Sequence, residues 1–235
     1  MNPRRGYQIA KRVFDIAFAC ILLVALSPVL LVSSLLVVLS MGFPVLYRAE
    51  RVKQGGQSFT MLKFRTMVQN ADKLGPVITA ACDPRITPLG ALLRKTKIDE
   101  LPQLINVLKG EMSFVGPRPN VPIIVSCYSG DEMQLLNVPQ GITDLSSLWL
   151  RGQEFLLEGT DDVMHDYENR VAPIKVRLGL YYVYHANFWL DLKIIVATAT
   201  AIILRQDPTW SFPKEAVADT LYLVNQMVND NSRAA

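Results

Sequence analysis

The stretch Arg94-Lys95-Thr96-Lys97-Ile98-Asp99-Glu100-Leu101-Pro102-Gln103 sets two adjacent carboxylates among basic side chains. Pro102 is tolerable only in a first helical turn, so the helix it belongs to, from about Ile98 to Leu108, is expected to begin close to Asp99-Glu100. Unpaired amides and the helix dipole favour phosphate at such a place, and the same field favours ionised Asp99 over its neutral form. A carboxylate held ionised beside a phosphate can act as a nucleophile and form an acyl phosphate. Neighbouring helical residues point about 100° apart. One carboxylate, Asp99, can therefore attack while the other, Glu100, holds Mg²⁺ against a leaving diphosphate. Acidic residues in a first turn are also ordinary dipole partners, so the pair by itself leaves a purely structural role open.

Lys63, Arg65, Arg94 and Arg118 strengthen the chemical reading if the fold gathers them. Arg118 is the most suggestive, because Pro117 and Pro119 restrict its backbone and pre-aim a guanidinium fork that suits a diphosphate. A surface arginine in a stiff turn is the competing reading. His165 and His185 lack a partner pattern and read as surface or structural histidines. No GxSxG, Walker A or GxGxxG is present, so serine hydrolase, P-loop and Rossmann readings lack their signatures. Cys20, Cys82 and Cys127 are odd in number and show no CxxC, against a disulfide framework or structural zinc.

The elements that must position these residues begin with a β-hairpin across 44–66, turning at Gln54-Gly55-Gly56-Gln57. Thr87-Pro88 starts a helix, Lys109-Gly110 stops the next, 115–119 forms a rigid loop and Ser129-Gly130 a further turn. Residues 174–204 end in an 11-residue uncharged run, IIVATATAIIL, too short to span a bilayer. It reads equally as an interfacial or a core helix. Pro208 and Pro213 break the chain before a tail with one helix.

Ile16 to Tyr47 carry no formal charge over 32 residues, about 48 Å as one helix against a hydrocarbon core of about 30 Å. Ser27-Pro28 lies near the middle and predicts a bend, leaving two arms of about 21 Å. Basic residues flank both ends, Lys11 and Arg12 before, Arg48, Arg51 and Lys53 after, which places both ends on the cytoplasmic side. A re-entrant hairpin satisfies length, kink and charge together; a single-pass anchor with a tolerated proline is the alternative.

Half of the residues are hydrophobic and 19% charged, which excludes a disordered chain. A net charge of +3 is too slight for a protein that binds duplex DNA by neutralising phosphates, so nucleic acid is not expected as a partner. The basic excess sits in residues 1–53, the flanks of the apolar run.

KRVFDIAFACILLVALSP, LKFRTM, KIDELPQLINVLKGEMSFVGPRP and YYVYHANFWLDLKI occur in the order seen in bacterial sugar transferases. Over residues 8–205 the chain resembles a small monotopic phosphoglycosyl transferase. The resemblance implies transfer of a phosphosugar from a UDP-sugar to polyprenyl (undecaprenyl) phosphate, with UMP released, at the cytoplasmic face of a bacterial inner membrane. It implies a helix made re-entrant at Ser27-Pro28, Asp99 as nucleophile, Glu100 as the Mg²⁺ ligand, and Lys63, Arg65, Arg94, Pro117, Arg118, Pro119 and Asp191 on the substrate side. Lys97 stands where many relatives have the serine of TSLDE, so the helix cap is expected from Thr96. Asp144 departs from the relatives' GITGLAQVNGR, which bears on the sugar and not on the phosphoryl chemistry. The family's minimal form, with no multi-span or nucleotide-sugar-sensing domain before the hairpin, is the form expected.

The expected architecture is α-rich α+β: a re-entrant membrane segment over 1–43, a catalytic domain over 44–205 with a small β-hairpin and interfacial helices, and a tail over 206–235. Membrane phospholipid, downstream glycosyltransferases and a second copy of the chain are the further partners this reading admits. Two rivals stand beside it. A non-catalytic scaffold for glycan enzymes would keep the hairpin and lose the acid pair. One-step transfer in a ternary complex would give intersecting rather than ping-pong kinetics.

Overall fold

A computed structural model describes residues 3–71, 74–75, 83–151, 167–204 and 212. His165, Cys82 and the expected tail helix lie outside the described residues.

Two helices open the chain, α1 (Pro3–Ala25) and α2 (Ser27–Met41), bent by 62° at Leu26. The Ser-Pro pair explains the bend atom by atom. Pro28 has no N–H to give the Val24 carbonyl four residues back, and the Ser27 hydroxyl donates to that carbonyl instead at 2.8 Å. Among the described residues no single helix is long and apolar enough to cross a membrane, whereas this bent pair is by length and composition. The first half of α1 packs one face against the domain. Lys11 and Asp15 are buried on its inner face, Lys11 paired with Asp191 at 2.8 Å and Asp15 accepting from the Phe114 amide at 3.2 Å. Ile9, Val13, Ile21 and Val24 on α1, and Leu31, Leu35 and Leu39 on α2, stay exposed.

The expected hairpin forms from β1 (Leu46–Val52) and β2 (Ser58–Phe64), antiparallel with Leu46 opposite Phe64 and Val52 opposite Ser58. Gly55 and Gly56 take φ near +80° in its turn, a region that disfavours a side chain. Thr87 caps α3 (Pro88–Lys95) by accepting from the Gly90 amide at 3.0 Å. Beyond it come α4 (Gln103–Lys109), ended by Gly110 at φ 79°, β3 (Ser113–Val115) and α5 (Pro122–Ser126). A 3-10 turn over Gly130–Asn137 is closed by a capping box between Ser129 and Glu132.

A second sheet was not foreseen. β3 pairs in parallel with β4 (Gly141–Thr143), Ser113 opposite Gly141 and Val115 opposite Thr143. Three residues a strand give no period to read, but the close approach leaves a trace in composition: a Cβ on Gly141 would lie 2.2 Å from the Gly116 nitrogen. α6 (Leu145–Trp149) follows β4.

The apolar stretch after residue 171 is two helices, α7 (Ala172–His185) and α8 (Phe188–Ile203), divided where Asn187 caps α8 through the Leu190 amide at 3.0 Å. One face of α8 joins the core through Ile194, Ala197 and Ala201, all fully buried, while Trp189, Val196 and Ile203 are exposed on the other. The helix therefore has both a core face and an apolar outer face. The main core is built from α1, β2, α4, β3, α6, α7 and α8; a satellite of Val37, Phe64 and Leu93 joins α2 to β2 and α3.

Candidate active site

Glu100 is the hub of the site. Its Oε1 accepts from Lys63 Nζ at 3.1 Å and from Arg118 Nη2. Lys63 stands near the end of β2, and Arg118 on the loop after β3, so the residue joins the two sheets. The other nitrogen of the Arg118 fork donates to the Ile142 carbonyl on β4 at 2.8 Å. Pro117 and Pro119 are buried on either side. The Pro117 carbonyl accepts from Gly141 N and the Asn120 carbonyl from Val52 N, each at 3.0 Å. The loop is thus fixed at both ends, and the fork is aimed by the parallel sheet as well as by its prolines.

The acid pair does not open an α-helix. Asp99 and Glu100 lie on a single 3-10 turn, Ile98–Glu100, entered through Lys97 in the left-handed region at φ 59°. The α-helical hydrogen bonding begins only after Pro102, which sits at the cap position of α4. Nor does Thr96 cap it: its hydroxyl donates back to the Leu92 and Leu93 carbonyls at 2.8 and 3.1 Å. Three residues carry little dipole, and in place of a helix field that would lower the Asp99 carboxyl the surroundings raise it. Burial pushes the Asp99 carboxyl up, the Glu100 charge pushes it further, and Lys63, Lys97 and Arg94 only partly oppose them. Its Oδ1 is buried without a hydrogen-bond partner.

Glu100 shows the reverse balance. Burial alone would raise its carboxyl, but the charges of Arg118, Lys63 and Lys97 outweigh it and hold Glu100 well below the usual carboxylate range. Burial, and then the Arg118 charge, lower the Lys63 ammonium. The Arg118 guanidinium, which burial would lower, is held up by Glu100 and Asp144. Two adjacent carboxyls of one turn thereby differ: one firmly ionised and clamped, the other buried, with a free oxygen and a raised pKa. Such a split assigns different tasks to the two.

Arg94 reaches Thr66 Oγ1 through Nε at 2.9 Å and contributes positive potential at Asp99. Arg65 and Asp191 reach partners outside the Glu100 cluster, and Nε and Nη1 of Arg65 are buried without one among the described residues. Arg65 donates through Nη2 to the Met41 and Gly42 carbonyls, the latter at 2.6 Å, and so closes the end of α2. Asp191 accepts from Tyr7 and Lys11 on Oδ2 at 2.7 and 2.8 Å and from Tyr182 on Oδ1 at 2.6 Å, tying α8 and α7 to α1. His185 binds the Tyr181 carbonyl at 2.9 Å and stacks on that ring, a structural histidine as expected.

Among the described residues no three His, Cys, Asp or Glu side chains gather into a metal site. Both donors to Glu100 meet on Oε1, however, which leaves its Oε2 without one among the described residues. That is the kind of hard oxygen that would hold Mg²⁺ with substrate phosphates completing its shell. The sequence reading missed Lys97 as the turn-former, Ile142 as the second anchor of Arg118, and Gln103. The last left a signal: in LPQLINVL two amides stand three apart among apolar residues.

The family model for bacterial sugar transferases matches residues 6–205. The chain is 37% identical over 212 residues to the exopolysaccharide production protein ExoY of Sinorhizobium fredii, covering 83% of this chain and 86% of that protein. It is 34% identical over 206 residues to the UDP-glucose:undecaprenyl-phosphate glucose-1-phosphate transferase of Caulobacter vibrioides, covering 86% and 72%. It is 36% identical over 219 residues to the undecaprenyl-phosphate galactose phosphotransferase of Salmonella typhimurium, covering 87% of this chain and 42% of that longer protein. The chain belongs to the bacterial sugar transferase family.

Proposed function

We propose that this enzyme moves a sugar 1-phosphate from a UDP-sugar to polyprenyl phosphate at the cytoplasmic face of the membrane, through a phosphosugar carried on Asp99. The relatives' names supply the reaction class. The observation that carries the covalent reading is the inequality of the acid pair: Asp99, buried and held by no salt bridge among the described residues, beside a Glu100 locked by Lys63 and Arg118. A nucleophile needs a free lone pair and surroundings that do not hydrate it. An anchor needs neither.

In this reading Arg118, with Lys63 behind it, binds the diphosphate of the donor and offsets charge on the departing UMP. Arg94 adds positive potential where the acceptor phosphate must approach a negatively charged site. Mg²⁺ would be held by Glu100 and would neutralise charge on the donor's diphosphate as UMP departs. The bent helix pair lies in one leaflet as a re-entrant hairpin, since neither arm carries enough uncharged length to cross a bilayer: α1 is free of charge only over residues 16–25, about 15 Å, and α2, with 15 residues, is about 22 Å long.

Purified protein in detergent, given undecaprenyl phosphate, Mg²⁺ and a panel of UDP-sugars, tests the reading through UMP release. One or a few UDP-sugars are expected to release UMP and yield a lipid-linked diphosphosugar. Silence across the panel, with the protein folded, would overturn it and favour a scaffold.

A further inference from the structure

Gln103 opens α4, is wholly buried, and neither Oε1 nor Nε2 of its carboxamide has a hydrogen-bond partner. A buried amide left unbonded is costly, and methionine or leucine would fill the same space without that cost. The orphan has a counterpart, because Asp99 Oδ1, also buried, accepts nothing. The backbone stays helical from the Ile98–Glu100 turn through Leu101 (φ −55°, ψ −34°) and Pro102 (φ −60°, ψ −18°) into α4. Gln103 is therefore one turn beyond Asp99, the i, i+4 spacing at which glutamine and aspartate side chains bond along a helix.

The neighbours on this face are already committed. Glu100, three residues before, is held by Lys63 and Arg118. Asn106, three residues after, donates to the Thr60 carbonyl and Glu111 and accepts from the Leu62 amide. Asp99 Oδ1 is the fully buried acceptor left open along the run.

We propose that Gln103 is a positioning residue for the nucleophile, its Nε2–H donating to Asp99 Oδ1 when the donor substrate is seated and thereby turning Oδ2 towards phosphorus. The inference rests on the reading of Asp99 as nucleophile. In the first step the Oδ2–P bond forms as the P–O bond to UMP breaks, and the electron pair leaves with UMP. Oδ1 becomes the carbonyl oxygen of the acyl phosphate and keeps its donor. In the second step a polyprenyl phosphate oxygen bonds to phosphorus, the Oδ2–P bond breaks, and its electron pair returns to a carboxylate that the same amide stabilises as leaving group. Gln103 transfers no proton in either step.

The charged groups acting on Asp99 are Glu100 and Lys97 beside it, Lys63 from β2 and Arg94 from α3. The test is the rate of single-turnover UMP release, without acceptor, across pH 5 to 9 in wild type, Gln103→Met and Gln103→Glu. Absence of a burst in wild type overturns the covalent reading of Asp99 and with it this inference. With the wild-type burst present, Gln103→Met is expected to slow it about 10- to 100-fold, the worth of a hydrogen bond to a charged group, at nearly unchanged half-saturating UDP-sugar. Gln103→Glu, a near isostere, must share one proton with Asp99 to act as donor, so it gains a loss of rate at high pH that wild type lacks. A Met variant within twofold of wild type, or a Glu variant with the wild-type profile, overturns the proposal. If the Met variant fails to fold, the Glu profile decides alone.

Discussion

Two carboxyls that are neighbours in sequence are driven apart in chemistry by what surrounds each. Burial, then the charge of Glu100, raise Asp99 above its ordinary 3.8, and in the proposed mechanism only the ionised form attacks phosphorus. UMP release should therefore fall as pH is lowered through a value above that of a free carboxylate, with an acid limb that Asp99 sets and that rate–pH profiles read directly. Glu100 titrates oppositely. Its folded pKa lies below the ordinary 4.5, so its contribution to stability is complete above about pH 4.5 and is lost as pH falls towards the folded value. Glu100→Gln should lower the melting temperature at pH 7, with the gap from wild type narrowing once pH drops below about 4.5. The same variant should need more Mg²⁺ for half-maximal rate, because an amide lacks the charge that binds a hard cation; an unchanged Mg²⁺ dependence removes Glu100 from the metal.

The four segments that meet at the site are the end of β2, the 3-10 turn, the loop after β3 and β4, and the last is the least visible in sequence. Gly141→Ala should cost about 1–3 kcal/mol by overpacking, since the added carbon meets the Gly116 backbone. Activity should fall further than stability, because Ile142 on the same strand holds the Arg118 fork; thermal unfolding and UMP assays on one preparation separate the two. The hairpin over 46–64, the Thr87 cap and the Gly110 stop were legible because alternation, capping residues and glycine act over a few residues. The β3–β4 pair was not, because its partners lie 28 residues apart and nothing in three residues announces a long-range parallel register. Asp99 and Glu100 could be picked out, but not their environment: Pro102 was read as sitting inside a helix that begins at the pair, whereas Lys97 turns the chain and leaves the pair on a tighter, separate turn. Arg65, chosen by type, and Asp191, chosen by resemblance, are set by tertiary packing against the end of α2 and in a buried ion pair, which no local pattern announces.

Across the whole molecule, α1, α2 and α8 keep exposed apolar faces and the buried ion pair of Lys11 with Asp191 ties α1 to α8, as the proposed membrane-bound enzyme would require. If the 62° bend makes that segment re-entrant, cysteines placed near Arg5 and Lys53, after replacement of Cys20, Cys82 and Cys127, should both react from the cytoplasmic side only. Pro28→Ala restores the amide that the Val24 carbonyl lacks and should send part of the population across the bilayer, exposing one site to the other side. Labelling of wild type from opposite sides would make the segment a single-pass anchor. The reaction itself is tested most directly by mixing enzyme, UDP-sugar and Mg²⁺ without polyprenyl phosphate and following UMP and intact mass. Wild type is expected to release at most about one UMP per enzyme and to gain a phosphosugar on the peptide containing Asp99, as a covalent intermediate requires, while Asp99→Asn folds and does neither. UMP appearing only once polyprenyl phosphate is added, or an adduct that survives in Asp99→Asn, would contradict the covalent account.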